Sequence, residues 1–256
     1  MRKNLKETMK NISVSCLGSS KIWIIPLLVW IFLTSSSLLW NLYSLRQNTF
    51  KTFRSEAQIL AEVALSTMLW AEQHKRVFVP LTEWIPMEPF YAQLPATDLL
   101  TTCGLRLTQV SPGAIIRQQA ELAWLHGLTR KSIRVTSLKS VNPVNAPDQW
   151  ESDTLKLFEN GQTDRFALVG DGPEAMLKYM VPIRAKAAFL EYPQGGGAGD
   201  LLGGLSVRER AASRFAMIRP QIISIIATHA AIFMVVALAM LVLLFRLRRQ
   251  WLNIDV

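Results

Sequence analysis

Cysteine is nearly missing from this 256-residue chain: there are two, Cys16 and Cys103. Only Cys103 falls in the polar central region, so no disulfide forms within it and the fold does not depend on one. Histidine is almost as rare, with three residues at 74, 126 and 229. No His-Glu-x-x-His zinc motif, Gly-x-Ser-x-Gly nucleophile elbow or Gly-Lys-Ser/Thr phosphate loop occurs. The Gly195–Gly199 run lacks the lysine of such a loop and no helical pattern follows it, so it reads as a loop between strands. Glu151 and Asp153 stand close together but without catalytic context, and the chain gives no argument for an enzyme. Internal repeats and low-complexity tracts are also missing.

What the chain does have is two charge-free apolar runs, Ile22 to Leu45 and Pro220 to Phe245. A helix rises 1.5 Å per residue, so about 20 apolar residues cross a hydrocarbon core of about 30 Å, and both runs reach that length. Arg2, Lys3, Lys6, Lys10 and Lys21 precede the first run, and Arg246, Arg248 and Arg249 follow the second. Basic flanks stay on the cytoplasmic side, so both termini are expected there. Trp23, Trp30, Trp40, Tyr43 and Trp251 sit near the run ends, where amphipathic rings suit the headgroup region. The first run exceeds the core of a cleavable signal and no clear cleavage site follows it. These flanks also account for much of the formal charge of +9. Without them the insert is only slightly basic, which argues against a nucleic-acid partner.

The expected layout is therefore a cytoplasmic segment 1–21, a span 22–45, an external domain 46–219, a span 220–245 and a cytoplasmic tail 246–256. The domain is long enough for its own core. From Asn48 to His74, Phe50, Phe53, Ala57, Leu60, Ala64 and Met68 recur at steps of three and four, predicting a helix that continues the first span. Four prolines then break a loop rich in aromatic residues, Phe78, Trp84, Phe90 and Tyr91. Ser111, before Pro112, predicts the cap of a helix to about Leu125. Ser132–Leu138 alternates as a strand, Asn142–Asp148 is turn chemistry, and a short helix runs from Asp148 to Asn160-Gly161. Met176–Ile183 and Leu202–Val207 predict strands, and Arg208–Ile218 a short helix joined to the second span at Pro220.

Several stretches together resemble a known family. They are His74 with Val77 to Trp84; Leu107-Thr108 with Ser111-Pro112-Gly113 and Arg117-Gln118; Thr136 to Lys139 with Asn142-Pro143 and Asn145 to Glu151; and Gly199-Asp200 with Gly203 to Val207. Their order and spacing over residues 50–207 are similar to the c-type haem, PAS-like input domains that stand outside the membrane ahead of histidine kinases, diguanylate cyclases and chemoreceptors. The resemblance implies an α+β, PAS-like periplasmic domain with a long N-terminal helix, held between two transmembrane helices. In those relatives a Cys-x-x-Cys-His motif bonds the porphyrin before the Gly-Asp segment. Here Ala187 to Glu191 contains neither cysteine nor histidine, so thioether attachment is excluded there and no cofactor is expected. His74, Cys103 and His126 are the only usual imidazole or thiol donors in the insert, and a noncovalent haem would require the fold to bring them together.

The expected pocket residues are His74, Phe78, Trp84, Tyr91, Arg117 and Trp150. His126, before Gly127, reads as a helix C-cap, Cys103 as a buried thiol, and His229 as an intramembrane imidazole kept neutral by Ser224 or Thr228. The sequence thus points to the sensor module of a bacterial inner-membrane signalling protein, a homodimer built on the Phe50 to Met68 stripe. Residues 246–256 are too short for a kinase, cyclase or relay, so output is expected in a signalling partner or downstream of Val256. The alternatives are a two-span subunit that scaffolds a membrane complex and a noncovalent haem protein.

Overall fold

The computed structural model describes residues 20–74, 76–82, 98–138, 143–185 and 199–252. Its first element, α1, is one helix, Ser20–Gln73, and its last, α4, is another, Ala211–Leu252. Each contains a window long and apolar enough to cross a membrane. The chain divides into two units. One holds the N-terminal residues to Thr49 and those from Met217 onward, and the other is Phe50–Ala216.

Within the second unit the strands are β1 Val77–Pro80, β2 Asp98–Leu100, β3 Arg106–Val110, β4 Ser132–Thr136, β5 Arg165–Val169, β6 Met176–Arg184 and β7 Leu201–Arg210. They make two antiparallel sheets, of order β1-β3-β2 and β4-β7-β6-β5. Helix α2, Pro112–Leu125, starts where Ser111 accepts the Ala114 N–H, as expected of that cap. Helix α3, Gln149–Glu159, is closed by a full capping box, Asp148 taking the Glu151 N–H while the Glu151 carboxylate takes the Asp148 N–H.

The four-stranded sheet is packed on both faces, and the period of two along β6 and β7 sorts their side chains. Leu177, Tyr179, Leu205 and Val207 join Phe53, Ala57, Ala61 and Ala64 of α1 in one buried cluster. Met180 joins Leu155 and Phe158 of α3 in another. Alanines on the inward stripe of α1 let its backbone approach the sheet closely. The Phe50 to Met68 stripe thereby packs on the protein's own sheet.

Two expectations are corrected at the end of the domain. Arg208–Arg210 continues β7, because its alternation carries Glu209 inward toward Lys131, at 3.7 Å, and a buried charge disguises a strand. Pro220 is not a junction: it lies inside α4, where it removes one N–H donor without ending the helix.

Candidate functional site

A cavity of about 350 Å³ opens between α1 and the β5–β6 side of the larger sheet. Gln58, Ala61, Glu62 and Leu65 line it from α1, with Thr163, Asp164, Tyr179 and Val181 opposite. Burial pushes the Tyr179 phenol up to about 12, and the neighbouring Asp164 carboxylate adds to the effect. Asp164 is held by Arg54 at 2.8 Å, and the Gln58 amide donates to Glu62 at 2.9 Å. The cavity is therefore an acidic, hydrogen-bonded recess with a neutral phenol at its wall.

The residues singled out from the sequence lie elsewhere. Phe78 is half-buried on β1, opposite Gln109 of β3. Trp84 and Tyr91 lie outside the described residues. Arg117 is half-buried on α2. Trp150, at the start of α3, has Arg165 and Lys178 each 5.5 Å from its ring centroid. Cation–π attraction and the Lys178–Asp148 pair at 2.5 Å tie this end of α3 to the sheet. Nothing in a linear reading marks Asp164 and Tyr179, which the β5–β6 pairing brings together and α1 then covers.

His74 follows the end of α1, exposed, with Nδ1 2.8 Å from the Trp70 carbonyl and its ring 4.4 Å from the Trp70 indole. A carbonyl only accepts, so Nδ1 carries a proton, and in the neutral ring Nε2 keeps the lone pair. That is how protein imidazoles are commonly prepared to bind a metal. Cys103 is exposed in the β2–β3 turn beside Thr101, at 3.1 Å, which corrects the expectation of a buried thiol. His126 is the C-cap of α2, its backbone N–H bonded to Leu122, with Gly127 at φ +65° after it.

These donors do not converge. His74 precedes Val77, whose partner Val110 is at one end of the small sheet, while Cys103 is beyond the other end, where Pro80 faces Leu107. At 3.3 Å per residue the separation is on the order of 15 Å or more. His126 is at the far end of α2, about 20 Å along the helix from Val110. Among the described residues no three His, Cys, Asp or Glu side chains group to hold a metal ion.

The sequence profile of the Tll0287-like family matches residues 46–189, more than half of the chain, and the chain belongs to that family. Among solved structures, that of the cyanobacterial heme-protein Tll0287 is similar at 23% identity, covering 40% of this chain and 73% of that one, with a TM-score of 0.32. No curated protein matches. The family finding overturns the expectation that no cofactor is needed, because the family is named for a haem protein. The lack of cysteine and histidine in Ala187 to Glu191 bears only on covalent attachment there. The donor chemistry would fit haem iron through one imidazole, His74, and not through a pair drawn from His74, Cys103 and His126.

Proposed function

We propose that the chain is a membrane-anchored haem-binding domain in which His74 ligates the iron through Nε2 and no thioether bond is made. Its observational basis is the family match over residues 46–189, joined to the one exposed imidazole whose other nitrogen is already committed to a carbonyl. When bound, haem supplies an iron that changes oxidation state or takes a small ligand. The residues of this chain orient the donor: Trp70 braces the His74 ring and fixes its tautomer. In this reading both termini are cytoplasmic and the domain is periplasmic, PAS-like in the sense of the sequence resemblance. It acts as an input module for a signalling partner and catalyses nothing itself. Support for a relay role is that α1 is unbroken from the first apolar window into the domain core.

The test is the absorption spectrum of the full chain, purified from membranes after haem supply. A Soret band that weakens or shifts with His74→Ala but not with His126→Ala is the expected result. A band indifferent to His74 removes the assigned ligand, and no band at all removes the haem reading. A denatured protein that kept haem through acid extraction would show covalent attachment and overturn the noncovalent assignment.

A further inference from the structure

The two long helices carry a polar contact within their apolar windows. Ser37 Oγ of α1 lies 3.1 Å from His229 Nε2 of α4, and His229 Nδ1 lies 2.8 Å from the Ile225 carbonyl. The carbonyl accepts a hydrogen bond from Nδ1, so in the neutral ring Nε2 accepts from the Ser37 hydroxyl. The partner is thus neither Ser224 nor Thr228, as the sequence had suggested; Thr228 bonds the Ser224 carbonyl instead. Asn41 Nδ2 donates to the Ser37 carbonyl at 2.8 Å and extends the polar group along α1.

The contact falls at matched depth. At 1.5 Å per residue, Ser37 is about 12 Å from Leu45 and His229 about 13 Å from Pro220, the two ends that face the central domain in sequence. Partial burial on each helix follows a three-and-four stripe; His229 lies on the α4 stripe, and Ser37, itself exposed, stands beside Leu38 of the α1 stripe. Thr34 and Phe233 stand one turn to one side, and Leu42 and Ile225, then Leu45 and Ile222, to the other. Packing of apolar side chains in lipid tolerates sliding, because Leu against Leu resembles Leu against a lipid tail. A hydrogen bond does not, since a slip of one turn strands a hydroxyl and an imidazole where water cannot replace the partner.

We propose that the Ser37–His229 hydrogen bond is a register latch that fixes the axial position of one span against the other. The latch rests on the anchored reading only in placing both helices in a bilayer. It would be measured on the full chain in membranes, with Cys16 and Cys103 replaced by serine and a cysteine pair introduced for oxidative cross-linking. Thr34→Cys with Phe233→Cys reports the register seen here, and Thr34→Cys with Ala237→Cys reports a slip of one turn. The in-register pair should cross-link preferentially. Ser37→Ala or His229→Ala should lower that preference about 3- to 20-fold, the range set by measured intramembrane hydrogen bonds. Combining the two should lower it no further. His229→Gln, which keeps an acceptor, should stay within about twofold of the parent and so separates loss of the bond from loss of the fold. A preference unchanged by either alanine, or losses that simply add, would overturn the latch. Carbonate extraction of the same membranes tests anchoring separately. A soluble chain whose cross-linking still depends on His229 would sink the anchored reading and leave the latch.

Discussion

Adding one methyl group to Gly203 should be the most damaging small change in the domain, and the reason is backbone crowding. Gly203 sits in β7 opposite Ile183, just beyond the point where β7 parts from Thr136 of β4. A Cβ there would run into the Thr136 carbonyl oxygen, with Ser137 Cβ at 3.2 Å and Thr136 C at 3.3 Å. No rotamer change relieves a clash with a carbonyl, and moving the strand would break the Ser137 bond to the Leu202 carbonyl, now 2.7 Å. Overpacking costs roughly 1–3 kcal/mol where side chains can yield, so Gly203→Ala should reach about 3 kcal/mol. Gly204→Ala meets the mobile end of Met180 and should cost about 1–2 kcal/mol, although Val181 O at 3.3 Å limits the relief. Gly113, in the first turn of α2, has nothing nearer than 4.0 Å, so Gly113→Ala should stabilise by up to about 1 kcal/mol. Urea unfolding of the detergent-solubilised chain, followed by near-ultraviolet circular dichroism, reads all three. With a slope near 2 kcal/mol/M, Gly203→Ala should lower the midpoint by about 1.5 M. A midpoint within about 0.3 M of the parent, or a Gly113→Ala loss as large as that of Gly203→Ala, would refute the steric argument.

Asp148→Ala should cost about 2–3 kcal/mol, since it removes the N-cap of α3 and leaves the buried Lys178 ammonium without its carboxylate. Asp148→Asn should keep the cap and isolate the charge. Burial raises the Asp148 carboxyl, but Lys178, the Glu151 N–H and Arg208 together hold it below its ordinary value. A depressed carboxyl stabilises above its unfolded value of about 3.9, so the wild-type advantage over Asp148→Asn should persist at neutral pH, begin to shrink below about pH 4 and be lost as the pH falls through the lower folded value. Cys103 should react with maleimide in the folded protein, and Thr101→Val should slow it at neutral pH, because the Thr101 hydroxyl lowers the thiol pKa. In an alkaline absorbance titration Tyr179 should stay protonated to about pH 12, as judged against Tyr179→Phe, and Asp164→Asn should bring its ionisation to lower pH.

The parts of this fold that could be read from the sequence are those whose information is local. Ser111-Pro112 and Asp148 with Glu151 name their helices because a cap is made by residues three apart. The two apolar helices follow from length alone. The strands β1, β2, β3 and β5 were missed: they are three to five residues long, Phe78 and Pro80 of β1 read as part of a proline-broken loop, and β5 shows none of the strict alternation that marks a half-buried strand. The cavity was illegible for a different reason. Arg54, Glu62, Asp164 and Tyr179 come from three separate stretches, and only the docking of α1 on β6 joins them. His74 was visible as a donor, but the state of its two nitrogens depends on the Trp70 carbonyl, which a residue list does not show.

The covered positions on α1 also constrain how any signal could pass along it. Thr34, Leu38, Leu42 and Leu45 are partly covered in the apolar part, and Phe53, Ala57, Ala61 and Ala64 are buried in the domain. Within each set the steps are three or four residues, so the covered positions of that set share a face of the helix. Rotation about the axis would pull the domain set out of its packing, and that set includes fully buried side chains whose exposure costs several kcal/mol. Translation along the axis keeps the face inward and trades apolar neighbours for apolar neighbours. In the apolar part the specific obstacle to it is the hydrogen bond between Ser37 and His229, worth about 0.6 to 1.7 kcal/mol on the scale of such bonds. A constraint of that size shifts populations by about 3- to 20-fold without freezing them, which is the range a small ligand's differential affinity can overcome.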